Sequence, residues 1–408
     1  MRILVLGSGG REHALVEALS RSPHRPTLYA MPGNPGMAAL AELVPGDMME
    51  VSFVSSVCLA RSIDLVVIGP EGPLAAGIAD VLRNQGISVF GPGADGARLE
   101  TSKDYAKQFM QQYDIPTAGY QTVTSYEEML QAYRLPIVIK ADGLAGGKGV
   151  YIPQSKPEYD RLAGDLFIKH SLGKSADRVL LEELLIGPEI SFFYLLNGTD
   201  YLYVGNARDH KRAFDGDQGP NTGGMGAFTP VELTSQDEDE IDAIIQKTVN
   251  GLQSEGIDYR GVLFIGCMKT TEGLKVLEYN VRFGDPETQA LQERWNDQLT
   301  DWLESAATGK PFAEAKLADK AAVCLVVCSK GYPGNILSDQ DIELNDLSGV
   351  KLFHAGTARR NNRLVNQGGR VFDLVASADH IEQACRLVYD KAVQIQFNGC
   401  WYRHDIGR

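Results

Sequence analysis

Lys275-Val-Leu-Glu-Tyr-Asn-Val-Arg-Phe-Gly-Asp-Pro-Glu287 is the stretch on which the fold of this chain turns. Val276, Leu277 and Tyr279 are strand formers. Glu278 and Asn280, two apart, therefore share one face of a strand, about 7 Å from each other by strand rise. A carboxylate and an amide oxygen on such an element form a hard-oxygen pair suited to Mg²⁺ that also carries substrate phosphates. Arg282 continues that face with a planar fork for a carboxylate or phosphate. Gly-Asp-Pro then forces a turn. Alone, Glu-x-Asn also describes an ordinary strand with two exposed polar positions; the rest of the chain decides between the two.

With 408 residues the chain exceeds what one core organises, and roughly two to four domains are expected. Its composition, 44% hydrophobic and 23% charged, is that of a soluble globular protein. No apolar run approaches the ~18 residues that span a bilayer. The opening Met-Arg-Ile-Leu-Val-Leu-Gly reads as a strand, not a signal peptide. The six cysteines are scattered without a Cys-x-x-Cys pair. Cys324 and Cys328 lie in a strand-like run as small buried hydrophobes, and free thiols suit a reducing cytoplasm. The net charge of −14 argues against nucleic-acid and anionic-membrane surfaces. A polyphosphate site must then gather its cations locally and import a metal. Acids elsewhere are screened beyond about 10 Å.

Upstream, the apolar strand 2–6 runs into Gly7-Ser-Gly-Gly-Arg-Glu-His13 and a helix, an arrangement that offers backbone N–H groups to an anion. It departs from the dinucleotide fingerprint, because Glu12 stands where the third glycine would be and the second strand ends without an acid. A single phosphate or a purely structural turn remains, and a nicotinamide-dependent oxidoreductase is the more distant alternative. Further strands at 63–68 and 86–90 end in Gly-Pro, completing a doubly wound parallel sheet whose ligands collect at the strand C-termini. Glu71 sits there, either facing a sugar hydroxyl or ammonium or capping the next helix.

From Leu99 a helix carries Lys103. The strand 135–140 then leads through Ala141-Asp-Gly-Leu-Ala-Gly-Gly-Lys-Gly149 into the strand 150–152. A P-loop leaves through a helix; here strand follows strand. The loop is a glycine-rich hairpin, either a flap bringing Lys140 and Lys148 to phosphates or a surface hairpin. The strand 178–185 ends in an extended linker. Its backbone suits an adenine edge beside Leu184, and Glu189 beyond it suits ribose hydroxyls. Residues 207–227, polar and glycine-rich without periodicity, read as a long loop. There Asp209, Lys211, Asn221 and Thr222 gather donors and acceptors near Gly223-Gly-Met-Gly. Residues 234–255 and 291–307 read as helices. Beyond Pro311 the chain is β-rich, with a hairpin tip at 359–363 and a last helix ending near Val393.

GSGGREHA, GPEGPL, LPIVIKADGLAGGKGV, ARDHKR, GPNTGGMGA, LEYNVRFGDPETQ, FHAGT and GGRV, spread over residues 7–371, resemble the phosphoribosylamine–glycine ligase (glycinamide ribonucleotide synthetase) family of the ATP-grasp superfamily. GPNTGGMG and RFGDPETQ are the specific ones. The resemblance implies an α/β protein with an N-terminal doubly wound parallel sheet (1–100). It also implies an ATP-grasp module of two antiparallel α+β lobes (101–310, with 118–190 as the lid lobe) and a C-terminal β-rich domain (311–408). It implies ATP held by Lys103, Lys140, Gly146, Gly147, Lys148, Glu182, Glu183, Leu185 and Glu189. Mg²⁺, or Mn²⁺, would sit on Glu278 and Asn280. Glycine and 5-phosphoribosylamine would lie against Gly9, Gly10, Arg11, Glu12, Glu71, Asp209, Lys211, Asn221, Thr222, Gly223, Gly224 and Arg282. Arg282, Lys140 and Lys148 are the expected catalytic groups, and a cytoplasmic monomer the expected form. Gln218 stands for an expected threonine, Gly146 for an alanine and Val281 for a small residue. Another ATP-grasp ligase of purine synthesis is the nearer alternative.

Overall fold

The computed structural model describes residues 1–143 and 149–408. Its N-terminal sheet is parallel, in the order Glu42–Leu43, Thr27–Pro32, Arg2–Gly7, Leu65–Ile68, Ser88–Phe90. The central strand is apolar on both faces because both are covered, as a parallel sheet requires. Connections diverge to either side of it, so Gly7 and Gly69 flank the switch point where such sheets take ligands. A Cβ at Gly7 or Gly69 would fall 2.4 Å or 2.2 Å from Glu12. The glycines thus allow the Glu12 side chain to tuck beneath the turn.

Two antiparallel sheets follow. The smaller runs Tyr120–Val123, Val179–Glu183, Ile137–Ala141, Val150–Tyr151. The larger has eight strands and begins with Gly273–Asn280, Arg260–Thr270, Glu189–Asn197 and Tyr201–Asp209. It continues without a break through Gly226–Thr229 into the C-terminal strands Ala321–Cys328, Arg370–Ala378 and Lys351–His354. The helix Ser235–Ser254 starts on a Thr234/Asp237 capping box and lays Ile241, Ile244, Ile245 and Leu252 on the main core.

Residues 207–227 are not one long loop. Arg212–Phe214 and Gln218–Asn221 form a short hairpin, and Gly226–Thr229 is a strand inside the large sheet. Strands this short and glycine-rich carry no period of their own; their pairing with distant strands defines them. The helix expected at 291–307 is two pieces, Glu287–Leu291 and Leu299–Thr308. The one from Leu99 breaks at Ser102, whose hydroxyl caps Lys103–Gln112 by accepting from Tyr105 N.

Candidate active site

A break in strand register makes the site. Gly266 pairs with Glu278 and Cys267 with Val276, which leaves Leu277 as an extra residue. The bulge resets the alternation. Leu274, Val276, Tyr279 and Val281 face the main core, while Glu278, Asn280 and Arg282 line a cavity of about 440 Å³. Lys140 Nζ donates to the carbonyl of the bulged Leu277 at 3.2 Å, tying the small sheet to the large one beside Glu278.

Burial opposes ionisation of Glu278, but Lys211, Lys140 and Lys103 outweigh it and hold its carboxyl below the ordinary range. Asn280 Oδ1 accepts from Arg282 Nη2 at 3.1 Å, and its side chain lies against the Glu278 carboxylate, helping to keep it ionised. An ionised carboxylate beside an amide oxygen is a hard-oxygen donor pair that fits Mg²⁺. Opposite them, the buried Glu182 bridges Lys107 and Lys140 at 3.0 Å each. Burial drives the Lys107 ammonium down to about 8, against the pull of Glu182. Lys103, at the start of its helix, donates to Gly143 O at 3.4 Å; burial lowers its pKa while Glu278 resists.

Arg282 lies between Glu100 at 3.2 Å and Glu71 at 3.5 Å. Burial works against its charge, and those two acids hold the guanidinium above its usual range. Across the cavity Lys211 bonds Glu189 at 2.6 Å and nears Asp209 at 3.6 Å. Glu287, buried and close to Asp209, is pushed up to about 7. Arg370 arrives from the C-terminal region and donates to Gly223 O and Asp285 O at 2.8 and 2.9 Å. Thr222 Oγ1 accepts from Gly224 N and donates to Lys211 O, fixing the loop that supplies Gly223 to the wall.

The cavity therefore collects Arg11, Glu71, Lys103, Glu182, Asp209, Lys211, Thr222, Gly223, Glu278, Asn280 and Arg282 on its wall. Lys140 stands just behind, between Glu182 and Leu277. Leu185 lies in an apolar patch with Ala118, Met268 and Leu277. Glu189 reaches the site through its ion pair with Lys211. Other sequence-expected residues stand elsewhere. Glu183 is exposed, because alternation along its strand turns it away from Glu182. Asn221 lines a neighbouring groove with Arg212, Phe214 and Trp401. Glu12 is buried, its carboxylate accepting from Gly9 N at 2.7 Å and pairing with Arg11 at 2.5 Å, so it braces the glycine turn. Gly9, Gly10 and Gly224 are backbone positions behind the wall; at Gly224 φ is +113° and a Cβ would meet Pro286 at 2.5 Å. Gly146, Gly147 and Lys148 lie outside the described residues. Glu100, Lys107, Asp285, Glu287 and Arg370 also line the wall and were not singled out in the sequence. Asp285 and Glu287 were in view within RFGDPETQ; Arg370 offered only its place in GGRV.

A cavity edged by lysines between two antiparallel sheets, with an acid and an amide on its floor strand, defines an ATP-grasp protein. The descriptions "Phosphoribosylglycinamide synthetase, N domain", "ATP-grasp (A) domain" and "C domain" match residues 1–100, 101–288 and 322–408. The chain is 44% identical to a phosphoribosylamine–glycine ligase of Mesorhizobium japonicum, over 100% of this chain and 98% of that one. The crystal structure of phosphoribosylamine–glycine ligase from Thermotoga maritima superposes with a TM-score of 0.89 at 34% identity, covering 99% of this chain and 100% of that one. The biotin carboxylase domain of Hydrogenobacter thermophilus 2-oxoglutarate carboxylase, solved with MgADP, shares the fold. Its TM-score is 0.76 at 15% identity, covering 98% of this chain and 91% of that one. The chain belongs to the phosphoribosylglycinamide synthetase family.

Proposed function

We propose that this chain joins glycine to 5-phosphoribosylamine at the expense of ATP, giving glycinamide ribonucleotide, ADP and phosphate in purine synthesis. The observation that carries this reading is the convergence of Glu278 with Lys103, Lys140, Lys211 and Arg282 at one cavity. A carboxylate is a poor electrophile, so the order of steps follows. A glycine carboxylate oxygen attacks the γ-phosphorus, the bond to the β–γ bridging oxygen breaks, and ADP leaves. The amine nitrogen of phosphoribosylamine then attacks the acyl carbon of glycyl phosphate. Its proton is lost, and the carbon–oxygen bond to phosphate breaks.

Both steps call for alignment and charge neutralisation, and neither needs a protein nucleophile. Glu278 and Asn280 would hold Mg²⁺, or Mn²⁺ with its similar preference for oxygen, and the ion would supply neutralising charge to the triphosphate. Lys103 and Lys140 orient the phosphates, with Lys148 of the glycine-rich segment and the Gly146–Gly147 backbone assigned to the same task from the family motif. The apolar patch around Leu185 suits the adenine, and Glu182 keeps Lys140 in place. Arg282 orients the glycine carboxylate, while Asp209 and the Glu287 carboxyl beside it offer oxygen acceptors to an ammonium. The Gly9-Gly10-Arg11 turn, at a helix N-terminus, takes the phosphate of phosphoribosylamine. The lobe 118–190 closes over the nucleotide as a lid.

Among the described residues no helix is long and apolar enough to cross a membrane. The free cysteines, five of six buried, are consistent with a cytoplasmic setting, and we place the enzyme there as a monomer. Phosphate release is measured with ATP, Mg²⁺, glycine and freshly generated phosphoribosylamine, omitting each in turn. Release only from the complete mixture is expected. Release that persists without glycine, or with bicarbonate or formate in its place, contradicts the assignment.

A further inference from the structure

Behind the glycine turn lies a buried acid that the mechanism does not use. Asp373, on the strand Arg370–Ala378, is fully buried where the helices Gly10–Ser20 and Glu287–Leu291 meet the C-terminal sheet. Its carboxyl fills the space left by a missing side chain: a Cβ at Gly10 would fall 1.6 Å from Asp373 Oδ2. Gln289 Nε2 donates to Asp373 Oδ2 at 2.8 Å and to Asp285 Oδ1 at 2.9 Å, so one amide is shared by two acids. Asp285 is in turn paired with Arg370 at 3.1 Å, and Arg370 holds the Gly223 carbonyl at the cavity wall. Asp373 Oδ1 is buried with no hydrogen-bond partner among the described residues. An ionised carboxylate with an orphaned oxygen is costly in such a place; a carboxylic acid is far less so.

The charges around it set the balance. Asp285 from the turn and Glu12 from the first helix repel a carboxylate at Asp373, whereas Arg370 on its own strand attracts it. Glu287 lies on the neighbouring short helix. The thiols of Cys324 and Cys328, from the adjacent strand, are kept protonated by burial. Arg370 is already committed to Asp285 and two carbonyls. Burial first, and then Asp285, pushes the Asp373 carboxyl up to about 7.

We propose that Asp373 is a positioning residue whose proton governs how firmly the Gly9-Gly10 turn holds a phosphate, an inference that rests on the placement of the phosphoribosylamine phosphate given above. Protonated, Asp373 is a neutral filler behind Gly10. Ionised, it adds a buried negative charge directly behind an anion site, to those of Asp285 and Glu12. Repulsion at that range in protein surroundings weakens phosphate binding on the order of tenfold.

Ribose 5-phosphate is a stable probe for that turn. Its affinity for wild type and Asp373→Asn is measured by calorimetry at about pH 6 and about pH 8.5, either side of the ordinary histidine range. The second ionisation of the ligand is common to both proteins. The account expects wild type to lose about tenfold more affinity than the variant across that interval. Parallel curves would overturn the role of Asp373. Amide exchange over residues 7–13 tests the placement separately. Protection on ribose 5-phosphate binding supports it; binding without protection there overturns the phosphate placement itself. Thermal melts add an independent check. A raised carboxyl contributes stability that is present below the unfolded aspartate range and lost as pH rises through about 7. Between about pH 4 and pH 7 Asp373→Asn should therefore lose less stability than wild type, and an equal loss counts against the inference.

Discussion

The small sheet of residues 120–183 keeps a core of its own, with Ile137, Ile139, Tyr159, Leu162 and Leu181 closing on one another. The large sheet instead shares its core with the N-terminal sheet, where Leu6 and Ile68 pack with Phe192, Leu263 and Tyr279. The small lobe meets the body beside the cavity mainly through polar ties. Lys140 reaches Leu277 O, Lys107 reaches Glu182, Arg178 reaches Asp104, and Lys103 reaches Gly143 O. The patch of Ala118, Leu185, Met268 and Leu277 adds apolar contact there. Lys103, Lys107 and Glu182, which hold the lobe, also line the cavity. Attachment of the lobe and binding of a polyphosphate are therefore linked through shared side chains, while the body also has the large apolar core it shares between its two sheets.

The largest effect that separates these two kinds of contact is expected at the site. Glu278→Gln should cut glycine-dependent ADP release about 1000-fold, roughly 4 kcal/mol of transition-state stabilisation. Its melting temperature should stay within about 2 °C of wild type, because the surrounding lysines lose a partner but no core is opened. Near wild-type turnover would remove Glu278 from the mechanism.

Truncations in the two cores sharpen the contrast. Leu181→Ala and Leu263→Ala each open a cavity costing about 3 kcal/mol. For Leu263→Ala, exchange protection should fall throughout the body, including strand Arg2–Gly7. For Leu181→Ala the loss should stay within residues 120–183, as expected of a lobe with its own core. Loss of protection throughout the body in both variants would show that the lobe is not an independent unit.

A smaller effect arises where the N-terminal and C-terminal regions touch. His13 Nδ1 accepts from His354 N at 2.8 Å. Burial, aided by His354 for His13 and by Arg359 for His354, lowers the two rings to about 3 and about 4. A base whose folded pKa is depressed gives stability that is present above its unfolded value and lost as pH falls below it. Wild type should accordingly weaken between about pH 6.5 and pH 4.5, and His13→Gln should remove about 2 kcal/mol of that loss. Equal slopes in urea titrations would contradict this.

What the sequence showed and what it concealed divides along the same line. The strands 2–6, 135–140 and 275–280 announce themselves because burial on one or both faces writes a local pattern. The common face of Glu278, Asn280 and Arg282 follows from the period of two, although the bulge at Leu277 that turns this face to the cavity does not. Short strands within 207–227 were hidden because Gly226–Thr229 is held by partners as distant as Ala322–Leu325. Arg370 reaches the wall from 147 residues beyond Gly223, a juxtaposition no local pattern encodes. Glu12 sits in a fingerprint-like turn, yet its charge is spent inside the turn itself.

Paramagnetic broadening tests the central claim most directly. Mn²⁺ is added with a non-hydrolysable ATP analogue, and backbone amide signals are followed by NMR. The account predicts that broadening centres on Glu278 and Asn280 and extends to Lys140 and Lys211. Broadening centred on the Gly7–His13 turn, with residues 278–282 unaffected, would contradict it.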